Sequence, residues 1–255
     1  MHFTKHLLEL KWRFFYILLS TSIAFFISYI FSKELIYLVT SPLLEIQQVD
    51  SSVVDKERFF IFTNMTEAFT THIILSGYAT IFSVVPLCLL QLWLFISPGL
   101  YPNEQKQLKL LFTLSPLCFI VGCFITYYLI LPTAWQFFIG FETTNSQDIV
   151  HIHLEAKISE YLDLSTRLFF FVGFLFQYPI LLGILIQLNI LTKNWMITKR
   201  KFVCLLSFII AALFSPPDVL SQMMIAIPLL FFYEMALLAI ILKGTYQNLD
   251  LTRKI

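Results

Sequence analysis

Apolar residues in this chain collect in long blocks, near 12–32, 73–96, 109–139, 159–190, 202–214 and 219–242. All but the fifth are long enough to carry a helix across a hydrocarbon layer of about 30 Å. The pattern predicts six membrane helices. At about 1.5 Å per residue the fifth block reaches only about 20 Å, so that helix either thins the bilayer or is shielded by its neighbours. Prolines fall inside four of the six: Pro86 in the second, Pro116 and Pro132 in the third, Pro179 in the fourth and Pro228 in the sixth. Each should kink its helix and free a carbonyl that a neighbour must satisfy, which predicts a bent bundle with a concave surface.

Between the last two blocks the chain writes only Ser215-Pro216-Pro217-Asp218, with Gln222 about one helical turn further on. Two prolines exclude helix, so the turn is obligatory, and Asp218 can cap the helix that follows. Two readings of the amide fit: a helix-packing glutamine, or part of a binding site near the hairpin tip. At the start, His6-Leu7-Leu8-Glu9-Leu10-Lys11 forms an amphipathic lead expected at the membrane surface before the first helix. A polar segment from Gln47 to Arg58 is long enough to fold over the bundle mouth. No repeat or separate soluble unit interrupts the chain, so residues 1–255 are expected to form one domain.

Composition turns the pattern into a class. With 58% hydrophobic and 13% charged residues, the chain lies far from soluble globular proteins, where about a quarter are charged. Lysine and arginine concentrate at both termini and in the 97–109 and 190–201 stretches. The other side carries only Lys33, Lys56, Arg58, Lys157 and Arg167. The positive-inside rule then puts both termini in the cytoplasm or its organellar equivalent. The first block is too long for a cleaved signal peptide, and Ser32-Lys33-Glu34 follows it where small residues should stand. Four cysteines, all within apolar blocks, indicate neither disulfide nor zinc. Net charge near zero carries no sign of nucleic acid, and 28 phenylalanines against seven glycines hint at an AT-rich, organellar gene.

No phosphate loop, zinc-protease helix or nucleophile elbow occurs, which disfavours an enzyme, and the histidines lie at block ends or in loops, unsuited to haem. Mid-depth polar groups are few: Gln136, Gln177 and Glu234. Gln177 carries no charge and cannot relay protons, while Glu234 must be paired, protonated or facing water. Acidic groups gather instead at the inner face, as Glu9 and Glu104, near Gln91 and Trp93. Two carboxylates on a basic face fit a receptor for adjacent guanidinium groups; solvated acids neutralising nearby lysines fit as well.

Taken in order, the motifs resemble the TatC family, the multispanning component of the twin-arginine protein translocase. They are His6-Leu7-x-Glu9-Leu10-x-x-Arg13, Ser41-Pro42-Leu43, Glu67-Ala68-Phe69, and Pro86 followed by Gln91-x-Trp93-x-Phe95-x-x-Pro98-Gly99-Leu100-Tyr101 with Glu104. Gly122, Tyr127-Tyr128, Pro132, Tyr161-Leu162, Phe176-x-x-Pro179, Pro216-Pro217-Asp218-x-x-Ser221-Gln222 and Pro228 continue the series.

The resemblance implies an all-α membrane protein of six kinked helices in a cupped bundle, with helices five and six short and both termini inside. It implies a receptor for folded proteins bearing twin-arginine signal peptides, with Glu9, Glu104, Phe95, Arg13 and Lys11 in the peptide-binding region. Single-span TatA-type and TatB-type partners would meet Gln222, Asp218 and Ser221, the chain would self-associate, and transport would run on the proton motive force without cofactor or metal. Two positions depart from the family: Gln177 stands where glutamate is common, and Lys11 where arginine is usual. A small-molecule or ion transporter is the rival reading, with an assembly factor third. Composition favours a mitochondrial inner membrane, with a bacterial cytoplasmic membrane as the alternative.

Overall fold

The computed structural model describes residues 2–49, 60–99, 101–141 and 157–253. These form helices α1 (His2–Ile30), α2 (Ser32–Val49), α3 (Met65–Ile96), α4 (Pro102–Ile125), α5 (Leu131–Ile139), α6 (Ile158–Leu175), α7 (Tyr178–Gln187), α8 (Lys193–Phe214) and α9 (Val219–Arg253). A 3-10 turn at Ser97–Gly99 and a π-helical turn at Thr126–Ile130 link α3 to α4 and α4 to α5. Among the described residues no strand forms; there is one isolated bridge, Ile61 with Lys157.

Among the described residues, five segments are long and apolar enough to cross a membrane: Leu8–Ile30, Met65–Gly99, Leu108–Ile139, Ile158–Gln187 and Val219–Leu242. The sixth predicted helix is α8, whose apolar part begins only after Lys201. Proline interrupts two of the helices, while Pro86, Pro116 and Pro228 lie inside unbroken α3, α4 and α9. The third span passes through the π-helical turn just before Pro132, and the fourth breaks at Phe176 and Gln177 just before Pro179.

Four expectations are corrected. The lead His6–Lys11 belongs to α1, which is already helical at His2, so Glu9 lies inside the helix rather than before it. The first helix ends at Ile30, and α2 follows as a separate helix with Pro42 inside it. Lys193–Lys201, read as loop, forms the first turns of α8. The last helix is not short, running 35 residues. The remainder of the polar stretch, residues 50–59, lies outside the described residues.

Neighbouring spans run antiparallel. α4 and α6 approach most closely at Gly122 and Gly173: a Cβ at Gly122 would lie 3.0 Å from the Val172 carbonyl oxygen and 3.1 Å from Gly173 Cα. Small residues are what let helix backbones come this near in lipid. The core is strongest where α2, α5 and α6 converge. Tyr161 stacks on Trp135 with ring centroids 4.4 Å apart, and its hydroxyl donates to the Val39 carbonyl at 2.7 Å. That bond straps α2 across the bundle. Beside it an open apolar hollow of about 510 Å³, lined by residues including Leu38, Tyr78, Phe82, Phe119 and Phe169, forms a concave surface between α2, α3, α4 and α6.

Candidate functional site

At the end of the bundle where α1 begins, one guanidinium gathers the predicted residues. Glu9 and Arg13 stand one turn apart on α1 and form an ion pair through Glu9 Oε1. Arg13 also donates to Gln91 Oε1 at 3.0 Å and to the Leu94 carbonyl at 3.1 Å. The reason lies in the end of α3. Leu94 O is one of the last four carbonyls of the helix, and Pro98, four residues on, has no N–H to give it. Arg13 fills that vacancy with a charge of the sign a helix C-terminus favours.

From there the chain turns directly into α4. Trp93, buried, stacks on Phe112 with centroids 4.7 Å apart, and Gln105 Nε2 donates to Ser97 Oγ at 2.6 Å. These contacts hold the first three turns of α4 against the end of α3. Glu104 belongs to the first of these turns, so it and Glu9 stand at the same end of the bundle; its side chain lies outside the described residues. Phe95 is half-buried in the last turn of α3. Lys11 is exposed, and two residues along a helix turn it about 200° from Glu9 and from Arg13. The fold does not bring it into this cluster.

Elsewhere the polar residues singled out pin helices together. Gln177 caps α7 at the break in the fourth span; its Nε2 donates to the Ser115 carbonyl at 2.9 Å and its Oε1 accepts from Ser115 Oγ at 2.5 Å. Both ends of the amide are thus satisfied by one residue of α4, which needs no charge at this position. Glu234 accepts from Arg200 through both oxygens, at 2.6 and 2.7 Å, joining α9 to α8. Of the readings open for Glu234, pairing holds.

In the α8–α9 hairpin, Asp218 caps α9 by accepting from the Ser221 backbone N–H at 2.6 Å. Asp218 is 7% exposed and Ser221 0%, so neither presents a side chain to a partner helix. That expectation is corrected: the double proline folds the cap inward. Gln222 keeps partial exposure and donates to the Phe208 carbonyl at 3.2 Å.

One buried carboxylate was read only as a motif residue. Glu67 accepts from Ser159 Oγ at 2.6 Å, from Thr63 N at 2.7 Å and Oγ1 at 3.0 Å, and from Asn64 N at 3.3 Å, tying α3 to α6. Its signal was available in sequence as Asn64-x-x-Glu67, the spacing of a capping box. Ser115 and Arg200, the partners of Gln177 and Glu234, carry no such mark.

Fold and site define a multispanning helical membrane protein whose polar groups clasp helices and crowd one rim, instead of lining a path through the middle. A family model described as Sec-independent protein translocase protein (TatC) matches residues 5–228. The chain is 39% identical over 236 residues to the TatC of Rickettsia prowazekii, covering 92% of this chain and 91% of that one. It is 38% identical to the tatC-like protein ymf16 of Reclinomonas americana, over 95% and 88% of the two chains. A crystal structure of the twin arginine translocase receptor TatC superposes with a TM-score of 0.71 at 28% identity, over 92% of this chain and 98% of that one. The chain belongs to the TatC family, a family of protein transport rather than of enzymes.

Proposed function

We propose that this chain is the receptor subunit of a twin-arginine translocase, binding the signal peptides of folded cargo with Glu9 and Glu104. The observation that carries this reading is the Glu9–Arg13–Gln91 cluster against the end of α3, one short turn from Glu104. Paired carboxylates on a rim accept the flat forks of two guanidinium groups, each able to form two parallel hydrogen bonds. Arg13 acts as a positioning residue, holding the Glu9 carboxylate while the end of α3 holds Arg13; Phe95, in the same turn, supplies apolar contact. The rim is accordingly on the inner side, with both termini, of an inner mitochondrial membrane. The phenylalanine-rich composition supports that membrane over a bacterial one. Export runs on the proton motive force, and residues 1–255 act as one domain that associates with further copies of itself.

A photocrosslinking peptide carrying twin arginines tests the reading against the same peptide with twin lysines. Labelling near α1 and the start of α4 is expected to fall several-fold with lysine, which keeps charge but loses the bidentate fork. Equal labelling by both peptides would count against the assignment.

TatA-type and TatB-type single-span proteins are the partners proposed for the α8–α9 hairpin, with Gln222 as the polar contact. Its partial exposure supports this, since a polar group facing lipid gains most from a partner on another helix. Gln222→Leu is expected to reduce co-purification of the single-span partner while peptide labelling persists. Undiminished co-purification would remove Gln222 from the contact.

A further inference from the structure

The α8–α9 pair marks two different membrane boundaries at one place. On α9 the apolar span continues to Leu242, eight residues and about 12 Å beyond Glu234. On α8, hydrocarbon-compatible sequence stops at Lys201, and the bidentate Arg200–Glu234 contact puts the two helices in register there. A second bond, from the Tyr233 hydroxyl to the Met196 carbonyl at 2.6 Å, confirms that register. Charged residues of α8 therefore stand beside α9 where α9 is still apolar. Arg200 is neutralised by Glu234. Lys199 and Lys201 are both exposed and make no ion pair among the described residues, and an unneutralised ammonium at this depth needs an anion, so what separates the two is the helix face each lies on.

One face of α8 arranges its groups in the order a phospholipid does. Trp195, Lys199 and Phe202 follow at spacings of four and three residues, so they share a side of the helix, and all three are exposed. Indole is suited to the interface, ammonium to phosphate, and the phenyl ring, about 4.5 Å deeper, to acyl chain. Lys201, about 200° from Lys199, lies on another face beside exposed Ile197 and has no aromatic pair of this kind.

We propose that the Trp195–Lys199–Phe202 face of α8 binds the headgroup of an anionic phospholipid, its phosphate held by Lys199. Charge complementarity selects an anionic lipid over a zwitterionic one, and one lysine near a membrane surface contributes about a five-fold preference.

The full chain in nanodiscs of phosphatidylcholine doped with a photoactivatable lipid tests this, with labelled peptides mapped by mass spectrometry. Headgroup-photoactivatable phosphatidylglycerol is expected to label residues 195–202 about five-fold more than the phosphatidylcholine analogue. Lys199→Gln should abolish that preference, while Lys201→Gln, the control for unspecific charge, should keep it. Equal labelling by the two lipids overturns the proposal, as does an unchanged preference in Lys199→Gln. Loss of preference in both variants alike would also overturn it, since diffuse attraction to a basic surface would then account for the labelling. A partner protein covering this face would appear as no lipid labelling there, and that too would overturn it.

Discussion

Gly122→Val is expected to lower the thermal stability of the detergent-solubilised protein more than any surface substitution, by roughly 1–3 kcal/mol and toward the upper end. The first atom added at this position meets Phe176 Cβ at 3.0 Å, the Val172 carbonyl oxygen at 3.0 Å and Gly173 Cα at 3.1 Å. Two of these three are backbone and cannot rotate away, so α4 and α6 must separate. Separation would also stretch the Ser115–Gln177 clasp, which lies two turns along the same crossing. Gly77→Ala is the matched control. Nothing lies within 4 Å of a Cβ there, and alanine in a helix gains roughly 0.5–1 kcal/mol over glycine, so that variant should melt at or above the parent temperature. If Gly122→Val melted with the parent, the close crossing would not carry the stability assigned to it.

Glu9→Ala and Glu104→Ala are each expected to weaken binding of a twin-arginine signal peptide by roughly ten-fold or more, while leaving the protein inserted and folded. Removing one carboxylate from a charge-assisted pair loses about 1.5–3 kcal/mol, and a factor of ten corresponds to about 1.4. The two variants should differ in a second readout. Glu9 is held by Arg13, so its removal leaves that guanidinium on Gln91 and the Leu94 carbonyl, adding an unpaired cation beside the incoming arginines. Loss at Glu9 should therefore be partly relieved by raised salt, which screens the repulsion, to a greater degree than loss at Glu104. Peptide affinities across a salt series check both points; unaltered binding in both variants would end the receptor mechanism.

How much of this was written in the chain follows from the physics of each feature. Long apolar blocks in a lipid solvent leave little choice but helix, because every backbone polar group must be satisfied within the segment. The limits of the last span were accordingly legible, with 219–242 expected and Val219–Leu242 found, whereas the first and second spans begin at Leu8 and Met65, ahead of the apolar blocks; the interruptions at Pro132 and Pro179 were legible too. The amphipathic helix α2 was not. Its apolar stretch is too short to span, and only the Tyr161 hydroxyl on Val39 and the packing of Val39 into the core say where it lies.

The candidate site divides along the same line. Residue type and topology put Glu9, Gln91 and Glu104 on one face, and Arg13 was joined to them by the resemblance. Which group meets which depended on the crossing of α1 with α3, where Pro98 leaves a carbonyl that Arg13 fills, and no local pattern announces a contact across 81 positions. Asp218 and Ser221 looked available in sequence and are sealed by the turn they build. Chain chemistry determined a bent, lipid-embedded helical protein with acids on a basic rim, because solvent and backbone geometry act locally. Tertiary structure alone decided which polar groups bind each other and which stay open to a ligand, because burial and pairing depend on residues far apart in sequence.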